Sequence, residues 1–328
     1  MPASATTIVW FRHDLRLDDN PALAAAAARG AVVPAFIWAP DEEAPWEPGA
    51  ASRWWLHRSL EKLSTALARA GGPLVIRRGG SLETLRKLAR EVGATHVVWN
   101  RRYEPAVVRR DTAIKKALAA DGLEVESFNG GLLYEPARVA TKEGKPYQVF
   151  TPFWRALLAR EEPAEPAAAP RKLVPAARTA TGLAIDALGL LPRIPWAGTM
   201  EKTWSPGEAG ARKRLDAFLD RGLARYATER DRPDHEGTSS LSAHLHFGEL
   251  SPRRAWHAVR EAAGGKPVAR LTGGPESYLR ELGWREFAGH LLYHFPHTAD
   301  APLRADYARF PWADDPVGLR AWQRGRTG

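Results

Sequence analysis

Residues 7–38 read TIVWFRHDLRLDDNPALAAAAARGAVVPAFIW, and this stretch decides the fold. Thr7 to Phe11 is a short apolar run rich in β-branched residues, the pattern of a buried strand. Asp18-Asp19-Asn20-Pro21 then supplies cap residues and a proline suited to a first helical turn. An alanine-rich helix is predicted up to Gly30, and Ala31 to Trp38 forms a second buried strand. The same alternation continues outward. Ser52 to Ala70 has apolar residues at helical spacing and stops at Gly71-Gly72. Strand-like Pro73 to Ile76, a helix from Ser81, strand Ala94 to Trp99, a helix over Pro105 to Ala120 and strand Leu123 to Phe128 complete it. Strands alternating with helices at this spacing predict a doubly wound α/β domain, a parallel sheet covered on both faces, over residues 1–131.

The turn after the first strand carries Trp10-Phe11-Arg12-His13-Asp14-Leu15-Arg16 and no G-x-G-x-x-G. A conventional dinucleotide site needs those glycines for close backbone approach to pyrophosphate, so their absence argues against an ordinary dehydrogenase. Any ligand of this domain is still expected beyond the carboxyl ends of the strands. Residues 132–204 are Ala-rich and interrupted by Pro163, Pro166, Pro170, Pro175, Pro192 and Pro195, which reads as a long surface linker. Within it, Val149 to Leu158 has a helical apolar face and is expected to dock on a domain. From residue 205 to 328 the pattern is all helical, with helices over Gly207 to Leu219, Ser239 to Phe247, Pro252 through Trp256, and Ser277 to Tyr293.

Composition bounds the chemistry. The absence of cysteine excludes disulfides, thiolate metal sites and cysteine nucleophiles. A net charge of +9 favours a polyanionic partner such as nucleic acid, although charge alone does not reveal clustering. No signal peptide and no run long enough to span a bilayer is found, so the expectation is a cytoplasmic protein without a membrane partner. His290 and His294 sit at i, i+4, but no glutamate follows His290, and no metal site is expected.

Two segments concentrate functional side chains. Thr238-Ser239-Ser240-Leu241-Ser242 places hydroxyls at a predicted helix start, where free N–H groups suit phosphate; such clusters also serve as plain caps. Glu281, Trp284 and Arg285 fall at i, i+3 and i+4, on one face of a predicted helix, a set able to hydrogen-bond, stack on and contact the phosphate of an extruded base. In isolation the same set also reads as a buried Trp beside a surface ion pair. Gly283 in mid-helix costs about 1 kcal/mol relative to alanine and points to a close neighbour.

Taken in order, these blocks resemble the photolyase/cryptochrome family along essentially the whole chain. They are Trp10 to Arg16 with Asp19-Asn20, Ser52 to Leu56, Phe150 to Phe153, Thr238 to Ser242, Leu245 to Arg253, Glu281 to Phe287, Phe310 to Trp312 and Ala321 to Gly328. The resemblance implies an N-terminal antenna domain and an incomplete helical domain holding FAD in a bent conformation. Tyr226 and Thr238, Ser239, Ser240, Leu241 and Ser242 would contact the cofactor. Arg230 and Arg285 would grip DNA phosphates. Trp284 would stack on a flipped pyrimidine dimer and Glu281 would hydrogen-bond it. Trp312 matches the outermost tryptophan of an electron-transfer chain. The implied activity is blue-light repair of cyclobutane pyrimidine dimers, in which excited reduced flavin lends an electron that returns after ring splitting. The implied partner is damaged DNA, met by a monomer with no obligate protein partner.

Tyr103-Glu104 stands where some family members use an Asn-Glu pair to hold folate, so a second antenna chromophore, of folate or deazaflavin type, is left open. The sequence ends at Gly328, before the family's Asp-rich loop and inner tryptophans, so the expected match covers the antenna domain and about half of the flavin domain, and activity of this chain is open. Two other readings stand beside repair. One is a blue-light photoreceptor of cryptochrome type, although plant photoreceptors of the family tend to lack the Trp and Glu retained here as Trp284 and Glu281. The other is a flavin-free fragment that binds nucleic acid.

Overall fold

The computed structural model describes residues 5–327; Gly328 of the last block and the first four residues of the N-terminal segment lie outside the described residues. Strand β1 (Ala5–Phe11) lies at the centre of a parallel sheet. Beside it on one side run β2 (Gly30–Trp38) and β3 (Val75–Arg78), and on the other β4 (His96–Asn100) and β5 (Glu124–Phe128). Val9 and Phe11 pack toward α1 (Pro21–Arg29) and α2 (Ala50–Ala70), in one cluster with Leu23, Leu60 and Leu67. Ile8 and Trp10 point the other way, toward α3 (Ser81–Val92) and α4 (Pro105–Ala120), in a cluster with Leu85, Leu88, Ile114 and Leu118. Both faces are therefore covered, which is why the central strands β1 and β2 are largely apolar, whereas the edge strand β5 keeps Glu124, Glu126 and Ser127. The strand order 3-2-1-4-5 is doubly wound, and it reverses direction at β1. Asn20 starts α1 as read from the sequence, its side chain accepting from the Leu23 N–H at 3.1 Å.

The joining segment is more ordered than its composition indicates. Helix α5 (Phe150–Leu158) docks in the core of the helical region through Phe150, Phe153, Trp154 and Leu157. A two-residue strand, β6 (Val174–Pro175), pairs with β2, and Leu173, Leu188 and Leu190 are buried beside the sheet. These anchors are too widely spaced to produce a period, so the sequence reads them as linker. Helix α6 (Gly198–Thr203) follows.

After residue 205 the described residues contain no strand. The helices are α7 (Glu208–Arg221), α8 (Tyr226–Glu229), α9 (Ser242–His246), α10 (Pro252–Ala262), α11 (Gly273–His294) and α12 (Pro316–Gln323). The expected helix over Ser239 to Phe247 is shorter than read, because Ser240 takes a left-handed φ of 51° and helix begins only at Ser242. No described helix is long and apolar enough to cross a membrane.

The turn after β1 joins the two domains. The buried Arg16 guanidinium donates to four carbonyls: Asp18 at 2.9 Å, Asp19 at 2.8 Å, Gly130 at 2.7 Å and Gly248 at 2.8 Å. Asp18 and Asp19 each accept two bonds from the side chains of Arg254 and Arg253. A Cβ on Gly248 would lie 2.1 Å from the His13 carbonyl oxygen, and Gly248 has φ 65°, so glycine is required for this approach. Glu249 is 0% exposed. It accepts from Trp55 Nε1 at 3.0 Å, from Gly207 N–H at 2.7 Å, and from Ser59 and His244. One carboxylate thus ties α2 of the sheet domain to two segments of the helical domain.

Candidate functional site

Where the turn after β1, the 130–132 crossover and helices α8 to α11 meet, they enclose a cavity of about 580 Å³. Five residues singled out from the sequence lie on its wall: Tyr226, Ser239, Ser242, Glu281 and Arg285. The Arg285 guanidinium donates to the Gly131 carbonyl at 2.7 Å, which fixes the crossover against α11, and burial lowers its pKa. Glu281 is ion-paired to Arg230, whose guanidinium lies 5.5 Å from the Tyr226 ring centre.

Other expected residues stand elsewhere. Leu241 is buried in the helical core, and Thr238 is exposed off the cavity wall, as Ser240 also is off it. Because α9 has only five residues, the hydroxyl cluster does not begin a long helix with a strong dipole. Trp312 is 82% exposed and contacts Phe310, at 4.7 Å between ring centres. Trp284 is 45% exposed and off the cavity wall. At about 100° per residue, Tyr278, Leu282, Arg285, Gly289 and Leu292 all turn to one side of Glu281, whereas Trp284 turns to the other, so the cavity wall takes Glu281 and Arg285 and leaves Trp284 beside it. Its ring instead stacks on Phe150, centres 3.6 Å apart and planes 9° apart. Gly283 is explained by its neighbour: a Cβ there would lie 2.5 Å from the Trp154 ring.

The sequence reading missed Tyr278, Gly289 and Leu292 on the same wall, although they continue the helical period from Glu281 and Arg285. It also missed Arg101 and Arg102. Tyr278 is pushed up to about 12 by burial and stays a neutral hydroxyl. The wall therefore combines hydroxyls, guanidinium groups and apolar side chains such as Leu245, Leu250 and Leu282. That donor set fits a ligand with phosphates, sugar hydroxyls and a flat apolar ring, and Gly131 leaves open space within it, its nearest neighbour to a Cβ being 3.9 Å away.

A second cavity of about 340 Å³ lies beyond the carboxyl ends of β1 to β4, where the doubly wound sheet places ligands. Trp10, Trp38 and Trp46 line it, with Arg12, Arg102 and Arg110. These cations are already paired, Arg12 with Asp111, Arg102 with Glu43 and Glu104, and Arg110 with Glu43 and Asp111. His13, Arg102, Glu104 and His246 line both cavities. Burial first, and Arg102 second, push His13 and His246 below the usual histidine range, so this shared wall carries neutral imidazoles.

Two further groups on α11 are structural. His290 Nε2 accepts from the Tyr147 N–H at 3.1 Å, which requires neutral imidazole, and burial lowers its pKa to about 4. Glu286 accepts from the N–H groups of Leu133 at 2.8 Å and Tyr134 at 3.3 Å, yet burial raises it to about 7. Between the unfolded value near 4.5 and about 7 the folded state binds the extra proton, so stability falls as pH rises through that window. The charged form costs on the order of 3 kcal/mol above it. Glu286→Gln keeps the acceptor and removes the charge. Thermal melts are expected to give the variant a higher Tm than the parent at pH 8 and no gain at pH 5; a gain that is equal at both pH values counts against this assignment.

Residues 7–171 match the family described as DNA photolyase, and residues 278–328 match the FAD binding domain of DNA photolyase. A deoxyribodipyrimidine photo-lyase of Agrobacterium fabrum is 44% identical over 327 residues, covering 99% of this chain and 67% of that protein. Cryptochrome-2 of Arabidopsis thaliana is 38% identical, covering 100% of this chain and 55% of the relative. Among solved structures, a bacterial class III photolyase from Agrobacterium tumefaciens has a TM-score of 0.91 at 42% identity, covering 99% of this chain and 66% of the other. An archaeal photolyase from Sulfolobus tokodaii, solved with two FAD molecules, has a TM-score of 0.78 at 25% identity, covering 98% and 68%. The chain thus spans about two thirds of these photolyases and about half of the plant cryptochrome.

Proposed function

The chain belongs to the DNA photolyase family, and on that premise we propose that it serves the light-driven, FAD-dependent repair of cyclobutane pyrimidine dimers in DNA. The observation that carries this reading is the convergence of Tyr226, Ser239, Ser242, Glu281 and Arg285 on one cavity wall, with Trp284 exposed on the same helix. Bound FAD supplies a light-excited electron donor. The protein's own residues do the rest. Ser239, Ser242, Tyr226 and Tyr278 offer hydroxyls to phosphate and ribityl oxygens, while the leucines on the wall keep water from a flat ring. Arg285 adds positive charge on the same wall. Arg230 and Glu281 neutralise each other here, and DNA phosphate arriving at Arg230 frees the Glu281 carboxylate to bond a swung-out pyrimidine. Trp284 offers that base an aromatic face. Trp312 is the outermost member of a photoreduction path.

The second cavity is read as the site of an antenna chromophore of folate or deazaflavin type. Three indoles supply flat contact surfaces there, and Glu104 reaches its wall from the turn after β4. The protein is read as a cytoplasmic monomer whose partner is damaged DNA, consistent with its net charge of +9.

The test is to incubate this chain with FAD under reducing conditions, add an oligonucleotide containing one thymine dimer, and illuminate with blue light. Recovery of thymine absorbance only in the light supports repair. Flavin binding without recovery overturns it in favour of the photoreceptor reading, and dimer binding without flavin favours a nucleic-acid-binding fragment.

A further inference from the structure

The indole of Trp284 is held on one side only. Phe150 covers one face, centre to centre at 3.6 Å and within 9° of parallel, while Phe287 meets Trp284 edge-on at 6.0 Å and 68°. The side chain is 45% exposed, as expected for a ring with one face covered and the other open, whereas Phe150 is 5% exposed. Phe150 belongs to α5, on the segment that joins the two domains, and its position is imposed by packing behind it. One turn on, Trp154 lies nearly parallel to Phe150, at 6.2 Å and 13°, and rests on Gly283 of α11, where a Cβ would be 2.5 Å from its ring. Phe153 meets Phe287 at 5.1 Å and His290 at 5.0 Å, and the Tyr147 N–H bonds His290. Contacts at residues 283, 287 and 290 recur at helical spacing, so α5 is seated along two turns of α11. A glycine at 283 is what lets the helices approach closely enough for Phe150 to reach Trp284.

We propose that Phe150 is a positioning residue for lesion recognition: it clamps the inner face of Trp284 so that a swung-out pyrimidine meets one preset outer face. This rests on the reading of Trp284 as the stacking residue. An unclamped surface indole samples several rotamers and must be ordered at binding, and that ordering subtracts from affinity. A stacked aromatic pair contributes beyond its buried area, enough to fix one rotamer in advance.

The experiment uses the full chain labelled with 5-fluorotryptophan, with the Trp284 fluorine resonance assigned by its loss in Trp284→Phe. In the parent the resonance is expected to be single and displaced by the Phe150 ring current. Phe150→Tyr retains an aromatic face and should leave it in place. Phe150→Leu should move it toward the position of a free exposed indole. Preference for a dimer-containing over an undamaged oligonucleotide should fall roughly 3–10-fold in Phe150→Leu and recover in Phe150→Tyr. Gly283→Ala, which displaces Trp154 and α5 from the opposite side, should move the same resonance. An unmoved Trp284 resonance in Phe150→Leu overturns the proposal, as does equal loss of preference in Phe150→Tyr. Should Trp284→Phe and Trp284→Ala both leave dimer preference intact, the stacking reading fails, and the fluorine resonance still decides whether Phe150 holds the ring.

Discussion

Glu249→Ala is expected to lower unfolding free energy by roughly 3–5 kcal/mol and to separate the melting of the two domains. The carboxylate is fully buried and accepts from Trp55, Ser59, Gly207 and His244; its removal leaves Trp55, Gly207 and His244 without that acceptor, while Ser59 retains the Trp55 carbonyl at 2.9 Å, and opens a cavity between the domains. Trp55 and Ser59 belong to α2 of the sheet domain, whereas Gly207 and His244 belong to the helical domain, so the loss falls on the joint and not on either core. Scanning calorimetry is expected to show one cooperative transition in the parent and two in the variant. A single transition displaced by less than a degree or two would mean that the joint is held without Glu249, by Arg16 on the Gly248 carbonyl and by the Arg253 and Arg254 pairs with Asp19 and Asp18.

Trp284→Ala is expected to reduce preference for dimer-containing DNA by roughly 5–150-fold, the range for losing 1–3 kcal/mol of base–aromatic stacking. Affinity for undamaged DNA should change little, because phosphate contacts dominate it. Fluorescence anisotropy with matched damaged and undamaged oligonucleotides at one salt concentration measures both. Equal weakening toward both DNAs would assign Trp284 to general backbone contact. The indole's exposure makes the substitution safe for folding, since Phe150 remains packed on Phe287 and Phe287 on Phe153.

Much of this architecture is legible in the chain because strands and helices of the sheet domain carry their own punctuation. Asn20-Pro21 opens α1, Gly71 closes α2 and Gly93 closes α3, so boundaries fall within a few residues of those read from the pattern. The joining segment was less legible because its anchors, Leu173, Leu188 and Leu190, are isolated apolar residues among prolines and alanines. Ser239 to Phe247 was misread because nothing in the residue types announces the left-handed Ser240. At the site, α11 could be read through its period, which leads from Tyr278 through Glu281 and Arg285 to Leu292; the same i, i+3, i+4 count put Trp284 on one face with Glu281 and Arg285, and only the fold shows that the cavity lies to the other side of Glu281. His13, Arg16, Arg101 and Arg102 could not, because they reach the cavity from turns after β1 and β4 that only the folded sheet brings beside the helices. The glycine at 283 did announce a close neighbour, which is the Trp154 ring.

One titration tests the flavin cavity most directly: FAD added to this chain, to Ser242→Trp and to Trp46→Ala, followed by quenching of flavin fluorescence. Ser242 is exposed at the start of α9 on the larger cavity's wall, so a tryptophan there fills the space without disturbing a core. Trp46 lines only the other cavity. The expected result is saturable binding at one FAD per chain, unchanged in Trp46→Ala and lost in Ser242→Trp. Absence of binding to the parent chain, or binding that survives Ser242→Trp and disappears in Trp46→Ala, would contradict it.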